Sequence, residues 1–128
     1  QINEIEDNIQ GYTKLRIIAN RYNTSITMKD YFRELVANPE KLPDADLFVH
    51  TCVPSLKEMT TAYRKMSEQP VKGSETYQTL QELAEKIELT CEKLEEDYLH
   101  FQEDRIQDSE AEMDYVSRKI LEKGKGAK

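Results

Sequence analysis

From Tyr77 to Phe101, large apolar residues return every three or four positions: Tyr77, Leu80, Leu83, Ile87, Cys91, Leu94, Tyr98 and Phe101. That spacing places them along one face of an α-helix, and no Gly or Pro interrupts the run. The middle of the series approaches an 11-residue repeat, which predicts a nearly straight helix rather than a tight left-handed supercoil. Thirty residues of such a helix span about 45 Å at 1.5 Å per residue. A chain holding a rod of this length has to arrange its other segments along it.

The flanks of the rod are marked by local signals. Gln69-Pro70-Val71-Lys72-Gly73 is a linker, and Ser74 is a good N-cap with Glu75 in the first turn, where the helix dipole favours an acid. Near Ile106–Ser109 the pattern weakens. Ser109 and Glu112 match the S-x-x-E capping box, so a last helix is expected to begin there, with Met113, Val116 and Ile120 as its stripe. Gly124 and Gly126, among Lys123, Lys125 and Lys128, are expected to end it in a frayed basic tail.

The N-terminal half reads as shorter helices. Ile2, Ile5, Ile9, Tyr12, Leu15, Ile18 and Tyr22 form one stripe, predicting a single amphipathic helix over 1–22 with Gly11 inside it. Thr27 with Asp30 resembles an N-cap with an acid at N3. It opens a short helix whose buried face carries Met28, Tyr31, Phe32 and Leu35 with Val36, and which Asn38-Pro39 ends. Pro43-Asp44 starts a third helix through Leu47, Phe48, Cys52, Leu56, Met59, Tyr63 and Met66, with a kink expected at Pro54, where the bond to the His50 carbonyl is lost.

Together these signals predict an all-α, elongated helical bundle of about four to five helices with a long acidic C-terminal helix. One domain covers 1–128: N-terminal helices over 1–68, a linker at 69–73, a long helical segment over 74–122 and a basic tail at 123–128.

Charge is distributed unevenly. The formal net charge is −7, yet residues 75–114 hold 14 acids against three bases, a balance of −11, so the rest of the chain carries +4. The rod is negative and the early helices mildly positive, which favours pairing between them. No basic stripe is present to follow a phosphate backbone, so nucleic acid is excluded as a partner. An anionic membrane surface would repel most of the chain, and no apolar run approaches 18 residues. The chain opens at Gln1 rather than Met, so a processed or partial chain is expected, with any membrane attachment lying in a segment outside it. Cys52 and Cys91 have neither CxxC nor metal-ligand spacing and are expected as buried free thiols in a reducing compartment.

Asn38-Pro39-Glu40-Lys41-Leu42, the Phe48…Val53-Pro54 segment, Tyr63 with Gln69, then Leu83, Ile87, Leu94 and Asp97 on the long helix, and Glu112-Met113…Val116 occur in that order. In these pieces the stretch from Asn38 to Leu121 resembles the 5-bromo-4-chloroindolyl phosphate hydrolysis protein family, also called XpaC-like. That family places aromatic residues before its Leu-Pro pair, where this chain has Thr51 and Cys52 ahead of Val53-Pro54. The resemblance implies the cytoplasmic helical part of a bacterial protein, with transmembrane helices often ahead of the domain. It also implies a genetic neighbourhood with tellurite-resistance proteins of the TelA type, and the family name asserts phosphate-ester hydrolysis.

The residues themselves do not spell out that hydrolysis. It needs a nucleophile or metal-activated water, with cations for the developing phosphoryl charge. A cysteine phosphatase places Arg six positions after its Cys; here Cys52 is followed there by Glu58, and Cys91 by Asp97. Asp44-Ala45-Asp46 has the D-x-D spacing of an aspartyl phosphatase but lies at a predicted helix start, where first-turn acids are favoured anyway. No Gly-rich phosphate cradle exists. Asp97 and His100 stand at i and i+3, as in half of a di-iron bundle site, but His50 has Leu47 rather than an acid three positions earlier. Glu95-Glu96-Asp97 is expected as a solvated face, since it lacks the turn glycine of a calcium loop. No catalytic residue, metal or cofactor is therefore assigned. The apolar stripes are expected chiefly as intramolecular core; the alternative is that a rod this long overhangs the early helices and buries its excess stripe, Tyr98, Phe101 and Ile106, against a partner protein, either a TelA-like one or a second copy. The leading reading is a non-enzymatic interaction or scaffold domain, and the alternative a phosphatase-type hydrolase.

Overall fold

The computed structural model describes residues 1–126, with the side chains of all but Arg105 and 123–126. Among the described residues the structure is all-helical, without a strand. It comprises α1 (Ile2–Gln10), α2 (Thr13–Arg21), α3 (Thr24–Ala37), a 3₁₀ segment (Pro39–Ala45), a π-helical turn (Phe48–Cys52), α4 (Val53–Ser67) and α5 (Ser74–Gly126). Contacts group the chain into two compact units, Gln1–Tyr98 and a second from Leu99 onward.

The first 22 residues form two helices, not the single one expected. Tyr12 adopts an extended backbone (φ −136°, ψ 126°) that separates α1 from α2. Its ring lies edge-on to Tyr63 with centroids 5.5 Å apart, and its hydroxyl donates to the Arg64 carbonyl at 3.4 Å. The apolar stripe runs through the break in register, burying Ile5 and Ile9 before it and Leu15 and Ile18 after it, so spacing alone cannot reveal it. Gly11 is not the cause. Its φ is −71°, and an added Cβ would lie 3.6 Å from the Asn8 carbonyl oxygen, an ordinary contact.

α3 begins at Thr24, ahead of the expected cap at Thr27. The turn into it uses Asn23 in the left-handed region (φ 53°), which Asn adopts more readily than other side-chain-bearing residues. The buried face of α3 is Thr24, Thr27, Met28, Tyr31 and Leu35. Phe32 and Val36, expected inside, are 55% and 64% exposed. A helix turns only about a 100° stripe to its core; here that stripe centres on Thr24, Tyr31 and Leu35 and reaches Thr27 on one side, so Phe32 and Val36 fall beyond the opposite edge.

The third helix does not start cleanly at Pro43. That proline lies within the 3₁₀ segment, and α-helical geometry resumes at Asp46. The disturbance expected at Pro54 is taken up by the π turn just before it: the Val53 N–H reaches back five residues to the Phe48 carbonyl. Widening the helix by one residue accommodates a ring that has no N–H to offer. The apolar series continues on one face, with Phe48, Cys52, Val53 and Leu56 buried.

α1 packs chiefly on α4. A polar cluster sits in that interface. The Asn8 side-chain amide donates to the Thr60 hydroxyl at 3.1 Å and the Thr61 hydroxyl at 3.2 Å, and Arg64 donates to the Asn8 side-chain oxygen Oδ1 at 3.2 Å. Thr60 in turn donates to the Leu56 carbonyl at 2.6 Å, so these buried polar groups are satisfied.

α5 buries Ala84, Ile87, Cys91 and Leu94. It does not restart at Ser109, because a capping box acts only where the backbone already leaves the helix, and nothing before Gly124 makes it leave. The helix also continues through Gly124 to Gly126, beyond the expected end; Ala127 and Lys128 of the expected tail lie outside the described residues.

Candidate functional site

The outward turn of Phe32 and Val36 creates the most distinctive surface of the first unit. With Ile2 of α1, Leu42 of the 3₁₀ segment, Val49 of the π turn and Val53 of α4, they line an open groove of about 900 Å³. Phe32, Val36 and Leu42 are each about half exposed or more (55%, 64% and 48%), an unusual concentration of large apolar side chains for a small surface. Two cations stand at the groove, Lys29 and Arg33. Both have carboxylate partners: Lys29 is 3.2 Å from Glu6, and Arg33 is 3.3 Å from Asp30. The groove therefore offers apolar contact area, with its positive charge already balanced.

Beneath the groove lies an aromatic cluster. The Tyr31 ring stacks on Phe48 at 4.1 Å and leans against Tyr98 at 4.9 Å. Its hydroxyl donates to the Asp97 carboxylate at 2.8 Å. Burial, reinforced by Asp97, pushes the Tyr31 phenol well above its ordinary range, so it acts as a fixed donor rather than a proton carrier at neutral pH.

The acids of α5 serve as attachment points for α2 and α3. Arg21 pairs with Glu88, and the Tyr22 hydroxyl donates to the same carboxylate at 3.1 Å. The Asn23 amide donates to Glu95 at 3.1 Å. Within Glu95-Glu96-Asp97, expected to be a solvated face, Glu95 and Asp97 are thus engaged by side chains of the early helices. The negative rod and mildly positive helices do meet, through hydrogen bonds as much as ion pairs.

Among the described residues, the chemistry-bearing side chains elsewhere form no metal-holding group. Cys52 and Cys91 are free and buried, and burial pushes both thiols up to about 11. At neutral pH they are protonated and poor nucleophiles. Asp44 and Asp46 are exposed around the end of the 3₁₀ segment, and Asp46 lies 3.8 Å from His50. Asp97 is engaged by Tyr31, while His100 is exposed and 3.6 Å from Glu103. Among the described residues no group of three or more His, Cys, Asp or Glu side chains is placed to hold a metal ion. Of the three residues expected at an interface, Tyr98 is half-buried beside Tyr31, Phe101 is buried and Ile106 is 57% exposed.

Two features were not anticipated from the residues. Asn8 is hidden because it sits beside the apolar stripe, one position before Ile9, and an isolated polar residue there resembles a stripe edge. The groove is hidden because Phe32 and Val36 fit the helical period as well as Tyr31 and Leu35 do.

The sequence profile of the 5-bromo-4-chloroindolyl phosphate hydrolysis protein family matches residues 1–116. The chain belongs to this family. The match extends the resemblance seen from Asn38 onward to include α1, α2 and α3 of this family member. No curated protein and no solved structure matches it. Among the described residues, no helix is long and apolar enough to cross a membrane.

Proposed function

We propose that this family member is a helical protein-interaction domain of the bacterial cytoplasm, linked to tellurite and toxic-anion resistance through a TelA-like partner. The supporting observation is the groove of Phe32, Val36 and Leu42, apolar on its floor and balanced in charge at its rim. Its fitting occupant is the apolar edge of an amphipathic helix, which anchors through side chains at i, i+3 or i+4 and i+7. The tellurite link rests on the family resemblance. The test is calorimetric titration of this chain with the TelA-like protein of the same genome. Wild type is expected to bind, and the double variant Phe32→Asp, Val36→Asp to bind at least about tenfold more weakly, a carboxylate being strongly disfavoured on a buried apolar contact. Equal binding by both proteins, or no binding by wild type, overturns the assignment.

The alternative reading is phosphate-ester hydrolysis, a phosphatase-type activity. It is supported by the family's description. For that reading a partner would have to supply the nucleophile or the activating metal, since the thiols are protonated and the groove's two cations are held by carboxylates.

A further inference from the structure

Within the second unit, Leu99, Ile106, Met113 and Ile120 follow one another at intervals of seven residues, with Val116 between the last two. All five are more than half exposed, from 52% for Leu99 to 65% for Ile120. The described side chains from Glu103 to Glu122 are likewise all exposed. This spacing differs from that of the preceding stretch of α5, where the apolar steps approach eleven. Positions seven apart drift by about 20° per repeat around a straight helix and hold one seam only when two helices wind around each other. In proteins most helical stability comes from packing of an amphipathic face, and this face is unpacked within the single chain.

From these observations we infer that the exposed seam of α5 pairs with the same seam of a second copy as a parallel, two-stranded coiled coil. The seam from Leu99 to Ile120 is about 32 Å long at 1.5 Å per residue. Around the small side chain of Ser109, the surface forms a depression bordered by Gln102, Ile106, Glu110 and Met113. Ile106, Ser109, Glu110 and Met113 stand at i, i+3, i+4 and i+7, the four-residue socket that receives a side chain from a facing helix. A second copy brings the matching period. Ile106 and Ile120 place at two of the four seven-spaced positions the β-branched side chains that parallel dimers carry there, although Leu does not fill the intervening positions. Charge selects the direction. An antiparallel pair that sets Ile106 against Val116 and Met113 against Ser109 brings Glu110 opposite Glu110 and Glu112 opposite Glu112. A parallel pair brings Glu112 opposite Ser117. Because Gln102 and Ser109 occupy intervening seam positions, the pairing is weak and depends on concentration.

The test uses the full chain and light scattering from about 1 to 100 µM, where mass action shifts a weak dimer. Wild type is expected to approach twice the 15.0 kDa chain mass at the upper end. The double variant Ile106→Asp, Met113→Asp is expected to stay at the single-chain mass with its near-ultraviolet dichroism unchanged, the substituted positions being exposed. Direction is read with two single variants. With oxidised glutathione as acceptor, Ser109→Cys is expected to form an intermolecular disulfide, because a parallel pair sets each position 109 beside its counterpart, and Asp104→Cys, on the far face, is not. A wild-type chain monomeric throughout, a trimer, a dimer that survives the double variant, or a dimer in which Ser109→Cys fails to cross-link overturns the inference. Phe32→Asp with Val36→Asp is expected to leave the dimer intact, so failure here is distinguishable from failure of the groove.

Discussion

The Tyr31 hydroxyl donates to the Asp97 carboxylate at 2.8 Å, fastening α3 to α5 from a fully buried position. Hydrogen bonds to charged groups contribute about 1.5–3 kcal/mol, and removing the donor leaves the carboxylate short of a partner. Tyr31→Phe is therefore expected to destabilise by about that amount in urea unfolding. Asp97→Asn retains an acceptor and should be milder. The reverse order would mean that the ring stack alone fixes Tyr31.

Asn8 joins α1 to α4 through Thr60, Thr61 and Arg64. Replacing it with Ala removes both of its donors and the acceptor used by Arg64, three hydrogen bonds across the α1–α4 contact, and is expected to cost about 1–3 kcal/mol. Chemical denaturation of Asn8→Ala measures this, with Asn3→Ala, an exposed site on the same helix, as the near-neutral control.

Asn23 and Gly11 have opposite requirements. Asn23 holds a positive φ, where most side chains cost about 1–2 kcal/mol, and it also donates to Glu95. Asn23→Ala is expected to destabilise clearly, and Asn23→Gly less, because Gly relieves the backbone term. At Gly11 the φ is ordinary and a Cβ has room, so Gly11→Ala should be neutral or stabilising by up to about 1 kcal/mol. Thermal midpoints of the three variants decide the matter.

Alkaline pH should weaken the fold through its thiols. Cys52 and Cys91 ionise near 9.0 as free groups and near 11 when buried, so the folded chain keeps protons that the unfolded chain releases. Stability is undiminished below pH 9 and falls as pH rises from 9 to 11, with Tyr31 adding to the loss above pH 10. Urea midpoints across that range test the direction. A thiol reagent at pH 8 should label native protein slowly and both cysteines at once in denaturant.

Periodicity revealed the helical class and most of the core, because Ile5, Ile9, Leu15, Ile18, Leu56, Ile87 and Leu94 each lie where a single stripe puts them. It failed where a tertiary contact decides. Tyr12 breaks a helix in order to reach Tyr63, a partner 51 positions away in the chain. In α3 the buried stripe is rotated toward Thr27, which leaves Phe32 and Val36 outside although they are more apolar. At Ser109 the local signal was present and the structure ignored it. The groove was illegible for the same reason as the displaced pair: its existence depends on which of two adjacent stripes faces inward.

On the proposed reading, this family member acts through apolar contact with proteins rather than through bond cleavage by its own residues. The most direct measurement is turnover of 5-bromo-4-chloroindolyl phosphate by repurified chain, with and without added divalent metal. No turnover above buffer is expected. Metal-dependent turnover that persists through repurification and is abolished by one point substitution would contradict the account.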